Sequence, residues 1–479
     1  MAALFSAADP AMQATAAPFF GRDTRAVARV ELSSLTRLAL PIIVTQLSQM
    51  GMGVADTIMA GRVSAADLAG IALGGNLYWP FVMVLSGIVL AVTPSISQLH
   101  GAGRVAEVGE VVRQALWLGL IGAIVAIAGV WQCERIYRAV GVDPVAIPIA
   151  VAYLRAMSFG VVPLVGYFTL RYLCEGMSWT TPAMLIALVG LVLKVPLNAL
   201  FIHGNETLGI PQLGGAGCGW SSTIVMWAEL VAMILIVSFS RIRRVETLQH
   251  FSWPNFREIA RLARLGLPIA ATMFFEMAMF SMVSLLIGRL GVLSMAAHQI
   301  AGNVNGLTFM VPLALGSAAT IRVGYNVGAG DLPRARIAGL VALASSVAFA
   351  AAAAVLLLAL RGPIASLFTT DVGAASLAAE LMLFLAIYQF FDDAQATAIG
   401  TLRGYKDTRM PMIVTLVAYW AITLPLGCAL GFGIGVEGYG VRGFWMGFTI
   451  GLGLVAVVLS ARMLWLGRRP ERITALARR

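Results

Sequence analysis

Among the charges inside long apolar stretches of the chain are the carboxylates of Asp56, Glu276, Asp392 and Asp393 and the ammonium of Lys194. An uncompensated carboxylate in hydrocarbon costs roughly 3 kcal/mol on insertion scales, so such a group persists when it is paired, protonated or facing a wet cavity. The chemistry open to it is narrow. It can hold a cation such as Na⁺ together with hydroxyl and carbonyl oxygens, or it can exchange a proton.

Glu276 follows Phe274-Phe275 in the middle of an apolar run, out of reach of either interface, and reads as a proton carrier or cation ligand. Asp392 and Asp393 are preceded by Tyr388-Gln389 and followed by Gln395 and Thr397. Neighbouring side chains diverge by about 100° on a helix, so the two acids cannot both face one site. Tyr388 and Asp392 are four apart and share a face. Asp392 is therefore expected to face a cavity, with Asp393 as its helix-packing neighbour.

Asp56 lies in Gly51-Met52-Gly53-Val54-Ala55-Asp56-Thr57, where the glycines favour close helix contact around a polar pocket. Wetting at the nearby outer interface is the alternative. Lys194, in Leu193-Lys194-Val195-Pro196-Leu197-Asn198, is far from basic company. It either snorkels to an interface or pairs with a first-half acid such as Asp56 in a fixed internal salt bridge.

The elements that must position these groups follow from composition. Of 479 residues 59% are hydrophobic and 12% charged, with mean hydropathy +0.87. A soluble domain carries about a quarter of its residues as charges, so this chain lacks the charge to cover a water-facing surface. Twelve membrane-crossing helices are expected near 36–60, 68–96, 112–132, 150–172, 181–203, 214–240, 259–288, 294–320, 336–360, 378–401, 410–433 and 441–466. The fold class is thus an all-α polytopic membrane protein.

Twelve crossings put both termini on one side. With the termini inside, 25 Lys and Arg fall inside and 7 outside, with Lys194 left within a span. That split is the positive-inside pattern of a bacterial inner (plasma) membrane protein with cytoplasmic termini. The formal charge of +10 is then topology, its partner the anionic lipid leaflet rather than nucleic acid. Residues 1–30 are mildly polar, with Arg22, Arg25 and Arg29 ahead of the first apolar run, and no signal peptide is expected.

A repeat runs through the chain. Arg37-Leu38-Ala39-Leu40-Pro41 returns as Arg264-Leu265-Gly266-Leu267-Pro268, an offset of 227 that also carries Gly61-Arg62 onto Gly288-Arg289, Asn76 onto Asn303 and Gly101-Ala102-Gly103 onto Gly328-Ala329-Gly330. Six helices repeat as six in the same orientation, giving two parallel six-helix lobes. The expected units are an N-terminal segment 1–35, lobes 36–240 and 259–466, a basic linker 241–258 and a tail 467–479. The offset places Gln49 at the position of Glu276, so both lobes hold a polar group there and only the second is acidic.

Cys133, Cys174, Cys218 and Cys428 are scattered, as are His100, His203, His250 and His298, and neither set has metal or haem spacing. No P-loop and no nucleophile with a positioned base is present, so an enzyme is not expected.

Taken together the motifs resemble those of the multidrug and toxic compound extrusion (MATE) transporters, in their bacterial NorM-type branch. They are Leu40-Pro41, Gln49-Met50-Gly51, Val54-Ala55-Asp56-Thr57-Ile58-Met59-Ala60-Gly61, Gln98 with Gly101-Ala102-Gly103, Glu175-Gly176 before Pro182, Pro196-Leu197-Asn198, Phe274-Phe275-Glu276, Ala297-His298-Gln299, Arg322-Val323-Gly324, Tyr388-Gln389 with Asp392, and Leu402-Arg403-Gly404-Tyr405-Lys406-Asp407. The resemblance covers residues 30 to 466 and implies export of cationic, amphiphilic drugs and dyes by alternating access, driven by inward Na⁺ or H⁺ with no other cofactor, by a monomer. It implies cation coupling at Glu276, Asp392 and Tyr388, with Asp56 as the first-lobe acid. The substrate cavity would involve Asp56, Asn198, Lys194, Gln49, Asp393 and Gln299. The family commonly has Asn where this chain has Lys194, which turns attention to the second lobe. A flippase of a lipid or lipid-linked substrate is the competing reading, and a cleft rich in Arg and Lys would favour it. Apart from Lys194, the intramembrane charges read as acidic, which suits cationic cargo.

Overall fold

The computed structural model describes residues 24–435 and 437–478. Twelve of its helices are long and apolar enough to cross a membrane: α1 (Thr24–Gly61), α2 (Ala65–Gly101), α3 (Val105–Val130), α4 (Ile147–Gly176), α5 (Thr181–His203), α6 (Gly214–Phe239), α7 (Phe256–Gly288), α8 (Val292–Gly328), α9 (Leu332–Phe368), α10 (Val372–Gly404), α11 (Arg409–Phe432) and α12 (Val441–Leu466). The protein is an all-α multi-pass membrane protein.

The edges of α5 and α12 fall where hydropathy puts them, while several other helices run on. About 20 residues cross the hydrocarbon, so hydropathy marks only that part of a longer helix. The largest correction is at α1, where residues 24–35, expected as part of a separate N-terminal segment, are the first turns of the helix. Val27, Glu31, Leu35, Leu38 and Ile42 recur at helical spacing and are buried. Residues 1–23 of that expected segment lie outside the described residues.

The 227-residue repeat reappears in local geometry. Pro41 and Pro268 lie inside α1 and α7, and in each helix a threonine four residues on returns its hydroxyl to the proline carbonyl, Thr45 to Pro41 and Thr272 to Pro268, both at 2.8 Å. Proline gives no N–H to the turn before it, so both helices carry the same local weakness. In α11, Pro425 likewise donates nothing to the preceding turn, and the chain widens into π-helical turns over Val417–Thr423. Thr423 Oγ1 donates to the Ala418 carbonyl there at 2.9 Å.

Two large apolar cores form, one from residues between Ala60 and Leu262, the other from residues between Met279 and Ile473. A third, smaller cluster joins Leu35, Leu38, Ala39 and Ile42 of α1 to Ala314, Leu315, Ala318, Ala319 and Ile321 of α8 and Ala342 of α9. Between the halves α2 lies on α7 and α8. The approach is close enough that a Cβ on Gly87 would strike Ala270 and one on Gly266 would strike Ile88. The repeat counterparts of Gly266 and Ile88 are Ala39 and Leu315, and both belong to the third cluster.

A buried ionic cluster ties the start of α1 to α8 and α9. Glu31 accepts from Arg322 Nε at 2.9 Å and Nη2 at 2.8 Å, and from Arg334 Nε at 2.5 Å. Two guanidinium groups thus face one carboxylate.

Candidate functional site

In the second half, Glu276 on α7 is met by Gln395 of α10 and Tyr419 of α11. Gln395 Nε2 donates to Glu276 Oε1 at 3.3 Å, Tyr419 Oη stands 3.5 Å from the same oxygen, and Tyr419 donates to Gln395 Oε1 at 2.8 Å. The widened turns of α11 carry Tyr419 into this position.

Asp392 is buried beside Tyr388 of its own helix and Asn305 of α8, near enough to Glu276 for the two charges to act on each other. Tyr388 is backed by Trp445 of α12, ring centroids 6.0 Å apart. His298 meets the same indole and bonds Ser284 at 2.9 Å. Asp393 lies beside Gln389 instead, with both carboxylate oxygens buried and without a hydrogen-bond partner among the described residues. The ion pairs found among the described residues include none to Glu276 or Asp392, and no basic group acts on either. Two acids from different helices thus act on each other's charge with hydroxyl and amide groups beside them, an arrangement whose chemistry suits a monovalent cation or a proton.

In the first half, the Lys194 ammonium lies 2.9 Å from Asp56 Oδ1. It also reaches Ser221 Oγ at 2.9 Å, Ser222 Oγ at 2.5 Å and the Cys218 carbonyl at 3.3 Å. Asn198 Nδ2 donates to Asp56 Oδ1 at 2.7 Å, and Ser221 donates to Asn198 Oδ1. Helices α1, α5 and α6 thus surround a fixed positive charge with oxygens. Lys194 is 2% exposed, so it does not snorkel to an interface.

This cluster forms one wall of a cavity of about 340 Å³. Gln49, Asp56 and Lys194 line it, with Trp79, Phe168, Met52, Met157 and Met226 supplying apolar, deformable surface. Gln299 is exposed on α8 and lies outside the cavity.

Sequence reasoning passes over Glu229 of α6, which lines the same cavity and is 5% exposed. Its signal is the one that marks Glu276: a lone acid in the middle of an apolar run. It also passes over Tyr419 and Asn305, for which no sequence signal stands out, because a change of helical pitch and a neighbour from another helix place them.

The MatE family model matches the chain twice, over residues 41–200 and 268–428, the two matches starting 227 residues apart. A Yersinia pseudotuberculosis protein described as multidrug resistance protein MdtK is 39% identical over 444 residues, covering 92% of this chain and 97% of its own. Among solved structures, the eukaryotic MATE transporter AtDTX14 superposes with TM-score 0.84 at 20% identity, over 93% of this chain and all of that one. The Vibrio cholerae MATE transporter VcmN in its bent form superposes with TM-score 0.84 at 16% identity, over 94% and 99%. Two copies of one family module, each contributing buried polar groups to its own half, set the chain's place: it belongs to the MATE family of transporters and is not an enzyme.

Proposed function

We propose that the protein is a secondary multidrug exporter of the bacterial inner membrane, in the NorM-type branch, with both termini cytoplasmic. It expels hydrophobic organic cations while Na⁺ or H⁺ flows inward. Two lobes, 36–240 and 259–466, would rock about the contact between them, and one chain would suffice. The curated relative's description as a multidrug resistance protein supports the cargo class.

The observation that carries this reading is the pair of acids in the second half. Glu276 and Asp392 act on each other's charge without a basic partner, whereas Asp56 in the first half is held by Lys194. A cation or proton entering the second lobe gains two carboxylates, and one entering near Asp56 meets an ammonium already in place. Coupling is therefore assigned to Glu276 and Asp392, with Tyr388 beside them. Asp56, Lys194 and Gln49 line the first-lobe cavity, and Asn198 braces Asp56 from behind it. Asp393, beside Asp392, and Gln299, on the exposed side of α8, lie outside the first-lobe cavity and are proposed as substrate contacts of the second half alone.

The test is efflux of a fluorescent cationic dye from proteoliposomes under an imposed Na⁺ gradient, then under a pH gradient of equal driving force. Acceleration by one gradient and not the other is expected and names the ion. Glu276→Gln and Asp392→Asn should each abolish the acceleration while the protein still inserts. No response of the wild type to either gradient would overturn antiport and favour a flippase.

A further inference from the structure

Glu229 stands in a wall with a hollow on each side. On one side is the first-lobe cavity; on the other is a groove of about 170 Å³ between α5 and α6, lined by Leu185, Val189, Gly190, Leu193 and Ala228. Leu185, Val189 and Leu193 are 42%, 57% and 40% exposed on helices that cross the membrane, so the groove opens toward lipid. Val225 and Glu229 line both spaces.

The carboxylate has no evident structural duty. Glu229 Oε1 is buried and accepts no hydrogen bond among the described residues. Arg171 and Lys194 act on its charge, but each is paired with another acid, Glu175 and Asp56, and an acid left so at that depth marks a functional group by default. Asp56 is matched by Lys194 at 2.9 Å, so the negative charge the cavity can offer a cation is that of Glu229. Gly190 of α5 faces it: a Cβ there would stand 3.1 Å from Glu229 Oε1, and its absence leaves the acid open on that side.

We propose that Glu229 receives the positive charge of a membrane-dissolved organic cation that enters the first-lobe cavity from the bilayer between α5 and α6. The proposal rests on the export reading for its cargo class and adds the residue and the route. An amphiphilic cation partitions into lipid with its charge near the interface and its apolar body inside. The apolar groove takes that body, the carboxylate draws the charge inward, and the methionine and aromatic lining beyond it accepts varied shapes.

The experiment is stopped-flow binding of rhodamine 6G, a membrane-partitioning fluorescent cation, to the full chain in lipid nanodiscs. Glu229→Gln should weaken equilibrium binding by at least tenfold, and Glu229→Asp should retain most of it. Ala228→Trp fills the groove on the lipid side without reaching the cavity, and should slow association and dissociation together, at least fivefold, with affinity unchanged. Unchanged affinity in Glu229→Gln overturns the site; unchanged rates in Ala228→Trp overturn the route. A wild type that binds no cation would instead overturn the export reading, so the two failures are distinct. Monodispersity of each variant and retained binding by Glu229→Asp separate loss of charge from loss of fold.

Discussion

Gly101 and Gly328 occupy equivalent positions in the two halves, and each lies against a backbone carbonyl at the other's end of the contact: a Cβ on Gly101 would strike Tyr325 O, and a Cβ on Gly328 would strike Gln98 O. Gln98 and Tyr325 are themselves 227 apart. The two halves thus meet on a reciprocal glycine pair at the ends of α2 and α8, the ends that the proposed topology puts on the cytoplasmic side.

That contact makes the first prediction. Gly101→Ala and Gly328→Ala each force a methyl group against main chain, which cannot move aside as a flexible side chain would. Overpacking costs about 1–3 kcal/mol, and a bias of that size shifts an open–closed ratio by roughly 5–150-fold. Both variants should show longer spin-label distances between α2 and α8 at this end and slower transport, in similar measure. Wild-type distances in both would refute the closure.

Glu31 acts at the same junction. It faces Arg322 and Arg334 while wholly buried, so Glu31→Gln leaves two guanidinium groups uncompensated. Removing one partner of a buried ionic pair costs about 3–5 kcal/mol. Hydrogen exchange at the start of α1 and the end of α8 should accelerate in the variant, with α5 and α12 unaffected. Uniform exchange across the chain would show a general loss of stability instead.

The Asp56–Lys194 pair yields a double-mutant cycle. Lys194→Met strands Asp56, and Asp56→Asn strands Lys194, in a largely buried setting between α1, α5 and α6 at the cavity wall. Each single variant should lower the melting temperature in detergent. The double variant should recover much of the loss, because an uncharged pair of similar volume carries no stranded charge. Strictly additive losses would mean that the pair is not coupled.

Much of this was legible in the chain, and the limits have physical causes. Hydropathy located all twelve crossings because hydrocarbon tolerates little else, yet it lost the start of α1, where the helix leaves lipid and rests on α8. Glu276, Asp392 and Lys194 stood out because each is a charge in an apolar run. Glu229 carries the same mark, a lone acid in an apolar run. Arg322 and Arg334 could not be matched to Glu31 from sequence, since some 300 residues separate them and only helix packing joins them.

Tyr419 tests how the second-half acids are held. Its hydroxyl fixes Gln395 at 2.8 Å, and Gln395 in turn reaches Glu276. Tyr419→Phe removes the hydroxyl and keeps the ring, so it should cost about 1 kcal/mol of positioning, or roughly fivefold in apparent affinity for the coupling ion. The maximal efflux rate at saturating ion should stay near that of the wild type. A fall in maximal rate without a change in ion affinity would mean that Tyr419 serves the conformational change rather than the ion.

Lys406 gives a prediction in pH. It lies between α10 and α11, buried, with Nζ 3.3 Å from the Ala477 carbonyl. Burial, with the nearby positive charges of Arg261 and Arg104, pushes its ammonium down to about 8. Below that value Lys406 is charged in folded and unfolded chain alike, and the cost of burying the charge is present in full. Between about 8 and the ordinary lysine value of 10.5, the folded chain has shed a proton that the unfolded chain still holds, so stability rises with pH across that window. Lys406→Met keeps the apolar stem, loses the bond to Ala477 and removes the titration. The wild-type melting temperature should therefore climb relative to that of Lys406→Met between about pH 7.5 and about pH 10. Parallel curves over that interval would show that the ammonium is hydrated in the folded protein.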